Sequence, residues 1–353
     1  MAIHELAVVI PTLNEADAIL TLLEGLGKQQ NIRLQIIIAD GGSTDNTLAL
    51  AEKFFGISTL QYSIVNGDRG RAKQLNQGAR IAKAEMLLFL HADSELNDHG
   101  LLANALDHLK ARQHTGDNVA GHFGLYFRRE GTDHPIAYYF YESKSRLNRL
   151  DTINGDQGFM LSRRFFESLG GFDDTLDYME DARLARKIFA VGQWITLPGS
   201  ITTSARRFET EGLKQRQIVN AMLCNFDHIG LSEFFTEAAS AYRAQSRTGA
   251  LELRPFFILI HNITRRMGFI QATKLWYQSG AYIAGNAWQL AFVLDCRSNC
   301  TKRLPPGEGP APVLRFYDRW LKSWIDSPPG HLIAAVLSLV GFYFTLLLMV
   351  LRK

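Results

Sequence analysis

The runs LAVVIPTLNE at residues 6–15 and QIIIADGGSTD at residues 35–45 share one design: a few Val and Ile residues that stop abruptly in polar ones. Short apolar runs without alternation read as strands buried on both faces of a sheet. Between them, Ala16, Ile19, Leu20, Leu22, Leu23 and Leu26 recur at helical spacing. Working outward, Thr44–Asp45 reads as a cap for a helix over Leu48–Phe55, and Gln61–Val65 as a third strand. Arg71–Lys83 reads as a helix and Met86–Leu90 as a fourth strand. This β-α-β-α-β-α-β order predicts an α/β fold with a mostly parallel central sheet and helices on both faces. Ligands of such sheets bind beyond the carboxyl ends of the strands.

Four polar clusters fall at those ends. They are Pro11-Thr12-Leu13-Asn14-Glu15, Asp40-Gly41-Gly42-Ser43-Thr44-Asp45, Gly70-Arg71-Ala72-Lys73 with Asn76 and Gly78, and His91-Ala92-Asp93-Ser94. Each alone is ordinary, since Asp-Gly-Gly makes a turn and an Asp after a strand caps a helix. Together they supply donors for a base and ribose, a cation for phosphate and a carboxylate for a divalent metal. Farther on, Gly121–Arg207 reads as short strands, loops and one clear helix, Glu180–Val191.

These residues together resemble the family 2 glycosyltransferases, inverting enzymes of the GT-A fold, over about residues 6–243. The family's IPxxNE opening is intact, its DDGSxD loop stands as DGGSTD, and its Asp-x-Asp metal motif stands as HADS. Gly155-Asp156-Gln157-Gly158-Phe159, Gly170-Gly171-Phe172 and Glu180-Asp181 are similar to its acceptor-side segment. The LHAD, GDQGF, MEDARLARK and SARRF runs look closest to a bacterial subgroup associated with arsenosugar biosynthesis, and resemble carotenoid-acid glycosyltransferases.

The resemblance implies a role for each cluster. Asp40 would contact the nucleobase, with Pro11, Thr12, Asn14, Glu15 and Gly41 beside it. Arg71 would lie near the base or diphosphate, at a helix N-terminus that favours phosphate in any case, unless it is a solvated cation. Asn76 and Ala92 complete the donor side. Asp93 would bind Mn²⁺ or Mg²⁺. His91, standing where the family has its first Asp, would touch ribose, phosphate or metal, or simply pack in the loop. Asp181 would be the base, with Glu180 in reserve; the alternative is that both acids only favour the positive helix end. Arg206 and Arg207 would hold the diphosphate on a closing loop, or form a structural or membrane-surface pair. Gly155, Asp156 and Gln157 would shape the acceptor pocket, or make an ordinary Gly-Asp turn.

Charge is unevenly distributed. Residues 1–245 carry 25 Lys and Arg against 30 Asp and Glu, and residues 246–353 carry 13 against 5. An acidic body with a basic C-terminal part fits contact with anionic lipid or phosphate. Leu332–Leu351 is uncharged and apolar and precedes Arg352 and Lys353. At 1.5 Å per residue it measures roughly 30 Å, the thickness of a bilayer's hydrocarbon core. Leu6–Ile10 is too short for a signal peptide. Cys224, Cys296 and Cys300 make neither a disulfide framework nor a zinc site.

Four segments are therefore expected: a GT-A domain at 1–212, a helical and membrane-interfacial region at 213–302, a linker with an amphipathic stretch at 303–331, and a transmembrane helix at 332–351. The expected partners are a nucleotide sugar (UDP-linked first), the lipid bilayer and a lipid-like or small hydroxylated acceptor, with no nucleic acid. The expected location is the inner membrane, single-pass, with the catalytic domain cytoplasmic. Two other classes compete. A sugar-phosphate nucleotidyltransferase would carry a Gly-rich basic loop after strand one, where this chain has PTLNEAD. A non-catalytic adaptor would have lost Arg71, Asp93 and Asp181.

Overall fold

The four apolar runs are all strands: β1 (Leu6–Thr12), β2 (Leu34–Asp40), β3 (Gln61–Asn66) and β4 (Met86–Phe89). The computed structural model describes residues 4–113, 118–132, 135–175, 178–245 and 249–351, so Arg352 and Lys353 lie outside the described residues. Helices α1 (Ile19–Gly27), α2 (Thr47–Phe55) and α3 (Arg71–Ile81) link the strands, and β1 pairs in parallel with both β2 and β4. β3 pairs in parallel with β2 and forms one edge of the sheet.

The next segment holds more regular structure than its sequence suggests. It contains α4 (Leu101–Gln113), β5 (Val119–Arg128), α5 (Pro135–Lys144), β6 (Phe159–Ser162), α6 (Arg163–Ser168), α7 (Glu180–Val191) and β7 (Gln193–Ser204). The expectation of short strands and one helix over 121–207 is thus corrected. β5 and β7 are long because they pair with each other in parallel across a register shift near His122. Neither run shows the polar alternation that marks a half-exposed strand.

Sheet order is β3-β2-β1-β4-β6-β5-β7. β6 runs antiparallel to both β4 and β5. One apolar layer joins α1, α2 and α4 to one face through Leu22, Leu23, Phe55 and Leu102. The other joins α3, α6 and α7 through Leu75, Phe165, Leu184 and Ile188. Close approach sets α3 on β1, where a Cβ at Gly78 would meet Val9 Cγ1 at 2.4 Å.

The chain divides into two compact units, residues 1–129 with 137–204, and residues 130–136 with 205–353. The second boundary between them falls at Ser204–Ala205. The second unit is helical, with α8 (Arg206–Glu211), α9 (Leu213–His228), α10 (Ser232–Gln245), α11 (Arg254–Met267), α12 (Phe269–Gly285) and α13 (Trp288–Thr301). α14 (Pro312–Phe316), one π-helical turn over Tyr317–Leu321, α15 (Lys322–Ile325) and α16 (Pro328–Leu351) follow. The proline-rich stretch before α14 folds back on α13: Asn299 Nδ2 donates to the Pro310 carbonyl, and buried Asp295 accepts from the Val313 and Leu314 amides.

Candidate active site

The first two polar clusters are stitched into one structure. Asp40 is 1% exposed, and its carboxylate accepts four hydrogen bonds, from the Thr12 and Ser43 hydroxyls and the Gly42 and Ser43 amides. Burial pushes its pKa up, but these donors outweigh it and hold it below the usual carboxylate range. Asn14, in left-handed backbone, accepts from the Thr44 amide and gives its own amide to Ser43 Oγ. The Glu15 amide donates to Thr47. Gln74 of α3, which the sequence did not single out, donates Nε2 to the carbonyls of Thr12 and Ala39 and so clamps the ends of β1 and β2. Asp40 and Thr12 therefore build the loop. Pro11 lies within β1, and Gly41 lies under Gln74, where a Cβ would come within 3.0 Å.

Asn76 is likewise used internally, its side chain both donating to and accepting from the Phe172 backbone. That bond fixes the Gly170-Gly171-Phe172 turn, whose two glycines have positive φ.

The third and fourth clusters meet the acceptor-side residues. β4 ends before His91, and the single 3₁₀ turn Gly155–Gln157 stands immediately before β6. His91 Nδ1 lies 2.8 Å from Asp156 Oδ1. Burial and then the Arg71 charge work against the charged imidazole, but the Asp156 hydrogen bond together with the Asp156 and Asp93 charges outweighs them, and the His91 pKa is raised. Nε2 faces Gly155, where a Cβ would lie 2.8 Å from it and 3.3 Å from Asp181 Oδ2. Only glycine leaves room for that contact. Gln157 is buried and donates to the Thr152 carbonyl.

Glu180 and Asp181 open α7 behind Met179, whose backbone is left-handed at φ 70°. That conformation costs a non-glycine residue of order 1 kcal/mol and aims the first turn at the site. The two acids then diverge. Glu180 is 2% exposed and bonds Arg71 Nη1 at 3.0 Å. Burial first, and then the Asp181 charge, push its pKa up, with Arg71 opposing. Asp181 is half-buried and is oriented by backbone amides, Gly155 at 2.7 Å and Ala182 at 2.7 Å. A small cleft lined by Leu75, Phe89, Phe159 and Phe172 has His91, Gly155, Glu180 and Asp181 on its wall.

Asp93 lies partly buried two residues beyond His91, and its charge helps to raise the His91 pKa; Ala92 between them is buried. Among the described residues no three His, Cys, Asp or Glu side chains gather as a metal cage. A hard divalent ion takes one or two carboxylates and completes its shell with phosphate and water. Asp93 fits that role alone. His91 fits it poorly, because Nδ1 is committed to Asp156 and Nε2 is turned toward Gly155. Arg206 and Arg207 stand exposed on α8 of the second unit, in a helix rather than a loop.

A parallel β3-β2-β1-β4 half, continued by a reversed strand and carrying acids at both sets of loops, is a GT-A-like nucleotide-sugar transferase architecture. Residues 7–170 match the family model described as Glycosyl transferase family 2. Over those residues the chain is thus similar to the family 2 glycosyltransferases.

The chain is 33% identical over 105 residues to a PGL/p-HBAD biosynthesis glycosyltransferase of Mycobacterium bovis, covering 29% of this chain and 41% of that protein. It is 31% identical over 98 residues to the poly(ribitol-phosphate) beta-N-acetylglucosaminyltransferase TarS of Staphylococcus aureus, covering 27% and 17%. The matched region is thus less than half the length of either relative. Among solved structures, the mannosyltransferase PcManGT of Pyrobaculum calidifontis, in complex with GDP-Man and Mn²⁺, aligns over 96% of this chain and 87% of its own, with a TM-score of 0.49 and 19% identity. S. aureus TarS 1-349 in complex with UDP aligns over 89% and 91%, with a TM-score of 0.48 and 15% identity.

Proposed function

We propose that the protein is an inverting glycosyltransferase that moves a sugar from a nucleoside-diphosphate donor to a hydroxyl of a lipid-like or small acceptor, at the cytoplasmic face of a membrane. The observation that carries this is the unequal treatment of two adjacent acids. Asp181 is held by amides at the cleft wall with lone pairs to spare, whereas Glu180 is buried against Arg71.

In the proposed reaction Asp181 takes the proton of the acceptor hydroxyl. The acceptor oxygen bonds the anomeric carbon as the bond from that carbon to the donor diphosphate breaks, its electron pair leaving with the diphosphate. Arg71, at the N-terminus of α3, faces the charge that develops on the leaving group. Asp156 orients the His91 ring, and the Asp40–Asn14–Gln74 framework keeps the donor loops in place. Asp93 would hold the divalent ion, Mn²⁺ or Mg²⁺, which supplies Lewis-acid stabilisation of diphosphate charge. UDP is the first nucleotide to try. The arsenosugar-associated subgroup is favoured by the LHAD, GDQGF, MEDARLARK and SARRF runs alone.

The test is nucleoside diphosphate release by purified protein offered a panel of nucleotide sugars with and without Mn²⁺. Absence of turnover and of binding with every donor would overturn the reading. Asp93→Ala is expected to abolish metal-dependent donor binding, measured calorimetrically.

A further inference from the structure

α16 has the length and composition of a membrane-crossing helix, with a mean hydropathy of 2.4 and little of it buried. Its surroundings oppose a crossing. Gly280 of α12 packs so closely on α16 that a Cβ there would lie 2.5 Å from the Ala335 amide nitrogen and the His331 carbonyl oxygen. Trp276, one turn earlier in α12, meets Phe342, half-way along α16. The two helices are therefore antiparallel. Phe269 lies seven residues before Trp276, roughly 10 Å farther along the axis, which sets it beside the C-terminal end of α16.

Charged groups occupy that same level. Exposed Lys274 precedes Trp276. Arg266, just before α12, bonds Glu233 and Glu237 of α10 at 2.6 and 2.5 Å. At the other end, Arg315, Arg319 and Lys322 precede α16. Both ends of the apolar helix are thus flanked by charged surface of the unit it packs on. A crossing would draw Lys274, about 3 Å along the axis from Trp276, into hydrocarbon with the α12 face that packs on α16, where a charge costs several kcal/mol.

The uncovered face is a continuous stripe, including Ile333, Val336, Val340, Phe344, Leu347 and Leu351. Phe269 is 87% and Ile270 83% exposed at one end, and Trp320 and Trp324 are exposed at the other. The apolar face left open by α12, the aromatics at both ends and the basic residues before α16 together make a surface suited to the headgroup–acyl boundary.

We infer that α16 lies in the plane of an anionic bilayer, its outer stripe sunk into one leaflet, and does not span it. This deepens the membrane-face part of the proposed function and rests on it.

The experiment uses the full chain with Cys224, Cys296 and Cys300 replaced and one cysteine placed at Trp320 or at Leu351. Each variant is bound to sealed vesicles of mixed anionic and neutral phospholipid and treated with an impermeant maleimide. Added outside the sealed vesicles, the reagent is expected to reach the cysteine at position 320; trapped in the lumen, it is expected to reach neither position. Luminal labelling of Leu351→Cys alone would show a crossing and overturn the in-plane inference, leaving membrane attachment intact. Failure to sediment with any vesicle would overturn both readings. A lipid-independent dimer protecting Val340 and Leu347 would assign the stripe to a second copy and also overturn the proposal. Arg319→Gln is expected to weaken anionic-vesicle partitioning about fivefold.

Discussion

Glu180 and Asp181 are neighbours in sequence with opposite surroundings, and the difference predicts opposite kinetics. Asp181→Asn is expected to keep donor affinity and lower kcat about 10²- to 10⁴-fold. Glu180→Gln removes the charge that positions Arg71, so a raised donor KM with a much smaller loss in kcat is expected. A collapse of kcat in Glu180→Gln with normal transfer by Asp181→Asn, read in the same steady-state assay, would exchange the roles. Asp40 yields a stability prediction. Its folded pKa lies below the unfolded value of about 3.9, so the unfolded chain binds more protons as acid is added. Its contribution is complete above that value and is lost as pH falls through the lowered folded pKa. Asp40→Asn is expected to cost about 1–3 kcal/mol at pH 7, with the gap from the native protein narrowing in urea titrations as pH falls below that unfolded value. The types of residue at the site were legible from the strand-end loops. The bonds of Asp40, Asn76 and Glu180 were not, because Arg71 and Glu180 are 109 positions apart and nothing local encodes a partner at that range.

At the scale of elements, legibility followed periodicity. β1, β2 and β4 announce themselves as Val, Ile and Leu runs because each is buried on both faces. α5 was hidden: Pro135–Lys144 is crowded with aromatic residues on every side and presents no clean apolar stripe. β5 and β7 were hidden for the related reason that their long pairing is fixed by each other and not by a local pattern. The contact of α3 with β1 can be tested. Alanine favours a helix over glycine by about 1 kcal/mol, yet a methyl at position 78 would strike Val9 Cγ1. Overpacking of this kind costs about 1–3 kcal/mol. Gly78→Ala is therefore expected to lower the thermal midpoint despite its better helix propensity, and a raised midpoint in calorimetry would show that α3 can shift outward.

For the molecule as a whole, charge and apolar surface concentrate in the same unit, whose residues 246–353 carry 13 basic against 5 acidic side chains. Raising salt screens the first attraction and leaves the second. Sedimentation with anionic vesicles is thus expected to fall at high ionic strength but not to vanish; complete release by salt would reduce the apolar stripe to a bystander. The sequence foretold a basic, apolar C-terminal part, but its orientation to a bilayer depends on what packs beside α16, and composition does not record neighbours.

The reversed strand β6 has a wider consequence. Because it runs against β4, it begins at the edge where the parallel strands end, and Gly155–Gln157 reaches His91 without another crossover. The loops after the parallel strands and the turn before β6 come from separate stretches of chain that meet at the contact of His91 with Asp156. A change within that short turn can therefore reshape the wall beside His91 and leave the Asp40–Gln74 framework at the ends of β1 and β2 untouched.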